Sequence, residues 1–198
     1  MNDVTQNEMN IALRIFKDFT TKYNANNLAK VTDLTSMGVL KILNRLEKQR
    51  VIYYEMVGKA KIAHIDYSSD YAKHYILFLL RREAEISNAR VKRWVTEVKK
   101  LQSSASIGVL FGSVLQKDVF KDVDLLAVLP QTKLDELSKQ VEELNKINVK
   151  RIHVVKQSLK DLRENLVKQD KIAVAALRSG VVVFGHEALF EVMVSVAR

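Results

Sequence analysis

VLFGSVLQKDVFKDVDLLAVL, residues 109–129, decides how the second half of this chain is read. The apolar run that begins at Ile107 ends in VLF, and Gly112 and Ser113 follow where a chain leaving a buried strand must turn tightly. Glycine permits such a turn because it lacks a Cβ, and the turn's N–H groups and a serine hydroxyl can face a phosphate. Asp122 and Asp124 flank Val123 at the head of LLAVL. The period of two along a strand sends both carboxylates to one face and Val123 to the other. Carboxylates so placed repel unless a cation lies between them, and Mg2+, held by one or two carboxylates plus phosphate oxygens, suits that position. The alternative is a solvated acidic pair partnered by Lys117 and Lys121.

Outward from this stretch, the C-terminal half alternates strand and helix. Apolar runs place strands near 107–111, 123–129, 149–155 and 181–184, with helices near 132–146, 159–168, 171–178 and 186–195. The N-terminal half differs. Met9, Ile11, Ala12, Ile15, Phe16 and Phe19 recur at helical spacing, and YNANN at 23–27 breaks the pattern and supplies Asn caps for a short second helix. A turn at Thr32 and Asp33 leads through Thr35 or Ser36 into a longer helix whose buried stripe includes Leu43 and Leu46. VIYYEMV, a turn at Gly58, Lys59 and Ala60, and KIAHID then form two strands with basic residues at the tip. Helical signal resumes at Ser68 or Ser69 and persists to about Gln102, with a break expected near Arg81 to Glu83, and SSAS at 103–106 reads as a linker. The expected architecture is α+β with two domains: 1–67, a helical connector at 68–105 suited to dimerisation, and 106–198.

The 198 residues are 47% apolar and 28% charged, an ordinary globular composition, and they include no cysteine, which excludes disulfides, thiolate zinc sites and thiol catalysis. No apolar run approaches the length of a membrane helix and no signal pattern opens the chain, so a soluble, cytoplasmic protein without a membrane partner is expected. The net charge is +9, and the excess is uneven: 10 basic against 7 acidic residues in 1–67, 8 against 4 in 68–105, and 14 against 12 in 106–198. A basic first half favours a polyanionic partner, because Lys and Arg that neutralise phosphates release counterions.

Helix, helix, turn, helix and two-stranded wing over residues 7–66, with the run LTSMGVLKILNRLEKQRVIYY leading into the wing, resemble the winged helix-turn-helix transcription regulators. The resemblance implies binding of double-stranded DNA, the third helix entering the major groove and the wing reaching the backbone. By helical spacing, Ser36, Met37, Lys41, Asn44 and Arg45 are candidates for the exposed face, and Lys48, Lys59 and Lys61 for phosphate contact. Leu40 on that face and Arg50, where the family usually has glycine, depart from the pattern. Winged helices also serve as protein-interaction modules, and in that case these lysines are a solvated face.

Apolar strand, Gly-Ser, short insertion and Asp-apolar-Asp-apolar, closed by GVVVFG at 180–185, resemble the minimal members of the nucleotidyltransferase superfamily over about Ile107 to Phe190. The resemblance implies a mixed sheet flanked by helices, nucleotide phosphates (ATP or another NTP) at Gly112 and Ser113, and Mg2+ held by Asp122 and Asp124 as the catalytic carboxylates. It also implies a third acid on a later strand. VKRIHVV at 149–155 offers Arg151 and His153 instead, with His153 at the missing carboxylate, so two-metal activation of an attacking hydroxyl is undermined. His64, His74 and His186 have no metal-ligand spacing and read as structural. Three functions follow: a DNA-binding regulator with a nucleotide- or partner-sensing domain, an active Mg-dependent nucleotidyltransferase, or a dimerisation protein without a ligand.

Overall fold

The computed structural model describes residues 4–197, and it separates into two compact units that divide between Leu79 and Leu80. The first holds α1 (Gln6–Lys17), α2 (Ala25–Thr32), α3 (Ser36–Lys48), β1 (Ile52–Val57), β2 (Ala60–Ile65) and the beginning of α4 (Asp70–Ile86). This is the order of a winged helix. Each start has a chemical cause: Thr5 accepts from the Glu8 N–H, Asn24 and Asn27 form a reciprocal capping box, and Thr35 accepts from the Gly38 N–H. Apolar residues at helical spacing turn Ile11 and Phe16 of α1, and Val39, Leu43 and Leu46 of α3, fully inward. The α3 terminus is a Schellman turn, the Val51 N–H donating to the Leu46 carbonyl and the Arg50 N–H to the Glu47 carbonyl. Its left-handed residue is Arg50, with φ 58°, so the position that departs from the family's glycine is the one whose backbone favours glycine. β1 and β2 pair antiparallel from Ile52 opposite Ile65 to Val57 opposite Ala60, and the chain ahead of α2 adds a bridge, the Ala63 N–H donating to the Tyr23 carbonyl.

The second unit begins within α4 and continues through α5 (Ala89–Lys99), β3 (Ile107–Phe111), α6 (Ser113–Gln116), β4 (Val123–Val128), α7 (Leu134–Ile147), β5 (Ile152–Gln157), α8 (Leu159–Val167), α9 (Lys171–Ser179), β6 (Val181–Phe184) and α10 (His186–Val196). Its sheet runs β5-β4-β3-β6, with β3 antiparallel to β4 and β6 and β4 parallel to β5. Trp94, Val95 and Val98 of α5 join Leu110, Leu125, Val183 and Phe184 in one core. Among the described residues no helix is long and apolar enough to cross a membrane.

Local expectations shift in four places. The helical stretch after the wing breaks at Ser87 rather than near Arg81 to Glu83, because Asn88 caps α5 by accepting from the Val91 N–H. SSAS is packed rather than a loose linker: Ser104 is buried, its hydroxyl bonded to Glu136 and Gln140, and the Ser106 hydroxyl donates to the Val128 carbonyl. The strand expected from 149 starts at Ile152, whose backbone is held by the Asn145 amide, and it extends to Gln157 by pairing with β4. Ser113 opens a single helical turn that the sequence does not announce.

Candidate nucleic-acid and phosphate sites

α3 is two-sided. Ser36, Met37, Leu40, Lys41, Asn44 and Lys48 are exposed along the side opposite its buried stripe. Met37 is 63% exposed and Leu40 38%, large values for apolar side chains in a folded unit. The Tyr54 hydroxyl of β1 reaches the Asn44 side-chain oxygen at 3.4 Å, and Lys61 of β2 holds its ammonium 5.3 Å from the Tyr54 ring. Lys59 and Lys61 share a groove of about 500 Å3 with Asn24 and Asn26 at the head of α2. A second groove of about 620 Å3 runs along Lys30, Asp33, Thr35 and Ser36 at the head of α3. Lys30 and Tyr54 were not legible as site residues. Helical spacing could have exposed Lys30, but only hairpin pairing puts Tyr54 beside Lys61.

Arg45 is employed differently from its neighbours. Its guanidinium pairs with Glu8 of α1, a carboxylate 4% exposed whose other oxygen accepts from the Tyr75 hydroxyl of α4 at 2.8 Å. Burial, then the hydrogen bond to Glu8, raises the Tyr75 pKa far above that of a free phenol. Arg45 therefore braces α3 against α1 and α4. A buried carboxylate needs such partners, since an unpaired one would cost several kcal/mol, roughly 3–5 when a buried pair is broken.

In the second unit, register brings the Gly-Ser and Asp-x-Asp motifs together. Phe111 pairs with Asp124 across β3 and β4, so Gly112 lies beside the Asp124 side chain. A Cβ on Gly112 would fall 2.1 Å from Asp124 Oδ2, and the glycine has φ 79° and ψ −153°, a conformation other residues avoid. Val123 is fully buried while Asp122 and Asp124 are half-buried, so the alternation holds. Among the described residues neither Lys117 nor Lys121 pairs with either aspartate; Asp122 meets His153 instead, Oδ1 to Nε2 at 3.6 Å. His153 stands opposite Asp124 in the parallel pairing of β4 with β5. Arg151 precedes the strand, and its carbonyl accepts from the Val123 N–H. Lys150 sits 5.8 Å from the Phe120 ring centroid. Ser113 is half-buried and its hydroxyl has no protein partner among the described residues.

Whether these groups suit Mg2+ follows from the donor set. Among the described residues no cluster of three His, Cys, Asp or Glu side chains is placed to hold a metal ion. Asp122 and Asp124 fit a single cation whose remaining ligands are phosphate oxygens and water, and they do not fit a metal pair, for which a third carboxylate is missing.

No protein-family model matches the sequence, and no curated protein matches it. Among solved structures, the crystal structure of MepR, described as a transcription regulator of the Staphylococcus aureus multidrug efflux pump MepA, is similar over 52% of this chain and 80% of its own length, with 18% identity and a TM-score of 0.35. The winged-helix order stands on the chain's own helices and hairpin.

Proposed function

We propose that this chain is a DNA-binding, transcription-regulator-like protein whose second unit is nucleotidyltransferase-like and binds a nucleotide or a protein partner, with transfer chemistry impaired. The observation that carries it is α3: a fully buried stripe of Val39, Leu43 and Leu46 behind an open face of Ser36, Met37, Lys41 and Asn44. A helix anchored on one side and open on the other can enter a major groove. Ser36, Lys41 and Asn44 then meet base edges, Met37 offers an apolar contact, and Lys48, Lys59 and Lys61 neutralise phosphates. Tyr71 and Phe78, seven residues apart on α4 and 51% and 46% exposed, support pairing of two copies through that helix. The test is fluorescence anisotropy of the full chain on duplex DNA across a salt series. Affinity should fall steeply with salt, and Lys59→Ala should lower the slope by about one contact. Binding that ignores salt, or none at low salt, sinks the proposal.

For the second unit, support comes from the juxtaposition of Gly112 and Ser113 with the Asp122–Asp124 strand. Asp122 and Asp124 would hold one Mg2+, which when bound neutralises phosphate charge, while Gly112 leaves room for the Asp124 carboxylate and Ser113 offers a free hydroxyl to a phosphate oxygen. His153 in place of an acid favours binding over transfer. The second reading is an active nucleotidyltransferase moving a nucleotidyl group from an NTP to an acceptor, favoured by the same Gly-Ser and Asp-x-Asp juxtaposition. Calorimetry with ATP and Mg2+ separates binding from its absence: Asp122→Asn with Asp124→Asn should abolish the heat and leave DNA binding intact. Labelled-ATP transfer that survives His153→Ala would establish the enzyme instead.

A further inference from the structure

A concave site lies in the second unit, at the other end of the sheet from Gly112. Phe184 of β6 pairs with Gly108 near the start of β3, whereas Gly112 follows its end, so the two places are separated by about four strand residues, roughly 13 Å. There a cavity of about 580 Å3 opens between α4, α5 and the β6–α10 junction, a size typical of small-molecule sites, roughly 300–1,000 Å3. Its floor is apolar, formed by Ala84, Val95, Val183 and Phe184, each less than 9% exposed. Its rim is cationic. Lys92 and Lys99, seven residues apart, project with Thr96 from one face of α5, and Arg81 projects from α4 beside the acid Glu85.

These charges are unequally engaged. Arg81 pairs with Glu187, but among the described residues neither Lys92 nor Lys99 forms an ion pair. All three rim cations come from residues 68–105, where 8 basic residues face 4 acidic ones. Gly185 and His186 complete the wall. Gly185 opens α10 with no side-chain cap, and any Cβ there would meet the Ser106 carbonyl oxygen at 2.0 Å, so the backbone stays bare where it lines the cavity. Among the described residues His186 Nε2 has no hydrogen-bond partner, and it is inaccessible to solvent. Uncapped helix amides and two unpaired ammonium groups around an apolar floor are complementary to one kind of ligand.

We infer that this cavity binds a small amphipathic organic anion, a carboxylate or sulfonate carried on a flat apolar body, with the body against Val95 and Phe184 and the anionic group between Lys92, Lys99 and the start of α10. The site shares no residue with the Asp122–Asp124 strand or with the α3 and wing residues proposed to meet DNA.

The test uses the full chain and 8-anilinonaphthalene-1-sulfonate as the fluorescent probe, with N-phenyl-1-naphthylamine, the same aromatic skeleton without the sulfonate, as its neutral counterpart. Saturable enhancement with a stoichiometry of one is expected. Lys92→Glu with Lys99→Glu should weaken the sulfonate by roughly tenfold or more, as loss of charge-assisted contacts requires, and leave the neutral probe's affinity unchanged. Lys139→Glu with Lys146→Glu, two exposed lysines seven apart on α7, changes the net charge equally and should leave both probes unaffected. Circular dichroism and the melting temperature confirm that each variant is folded. No saturable binding, equal losses in the two charge-reversed pairs, or equal loss of the neutral probe would each overturn the assignment.

Discussion

Gly112→Ala should be among the most damaging single-methyl additions in the chain. The backbone at φ 79° and ψ −153° lies in a region populated almost only by glycine, so an alanine there costs about 1–3 kcal/mol before any contact is counted. The new methyl would also sit 2.1 Å from Asp124 Oδ2 and 3.1 Å from its Cγ, forcing that side chain to rotate. β4 cannot slide away to relieve the contact, because it is paired on both sides, with β3 through Phe111 and with β5 through His153. Overpacking of this kind adds about 1–3 kcal/mol, so the total should reach about 2–6 kcal/mol. Trp94, the one tryptophan of the sequence, is buried in this unit's core against Phe120, and its fluorescence reports urea unfolding of the second unit. Asp124→Ala removes the obstacle but not the backbone conformation. In that background the cost of Gly112→Ala should shrink to the conformational part, a coupling of at least about 1 kcal/mol. If the two substitutions add within about 0.5 kcal/mol, the close approach of Gly112 to Asp124 is not real, and the candidate phosphate site loses its geometry.

Arg50→Gly should stabilise the first unit by about 0.5–1 kcal/mol, since relief of a left-handed arginine outweighs glycine's extra unfolded-state entropy; the Asp66 contact it gives up is long, 3.7 Å, and its arginine side is 72% exposed. A lower thermal midpoint for this variant would show that the contact matters more than the backbone. Glu8→Ala should cost about 2–4 kcal/mol by stranding the Tyr75 hydroxyl and the Arg45 guanidinium, and Glu8→Gln less because an acceptor remains. Equal losses in urea titrations would refute the need for an acceptor. His186 is held below its usual pKa by burial first and then by Arg81, so the unfolded chain binds its proton more readily. Stability should therefore fall as pH drops below about 6.5, and His186→Gln should flatten that part of the pH profile; an unchanged slope would remove His186 as its source.

Much of this protein is determined locally and so was legible from residue order. Apolar runs mark Ile107–Phe111 and Val181–Phe184, helical spacing buries Leu43 and Leu46, and Thr35 and Asn24 are caps whose chemistry acts within a few residues. Strand alternation alone put Asp122 and Asp124 on one face. Other features depend on which distant segments meet, and no local pattern carries that. Glu8 and Tyr75 are separated by 67 positions, and Glu8, so held, pairs with Arg45, a partner invisible in the helical spacing of α3. Ser104 looks like linker until Glu136 and Gln140 of α7 reach it. The parallel register of β4 and β5 sets His153 opposite Asp124, and the antiparallel register of β3 and β4 sets Gly112 against the same side chain. Periodicity and capping are short-range and survive in the bare sequence. Strand pairing and buried charge compensation are set by packing across the chain, and that packing decides what the aspartates, the histidine and the arginine have as neighbours.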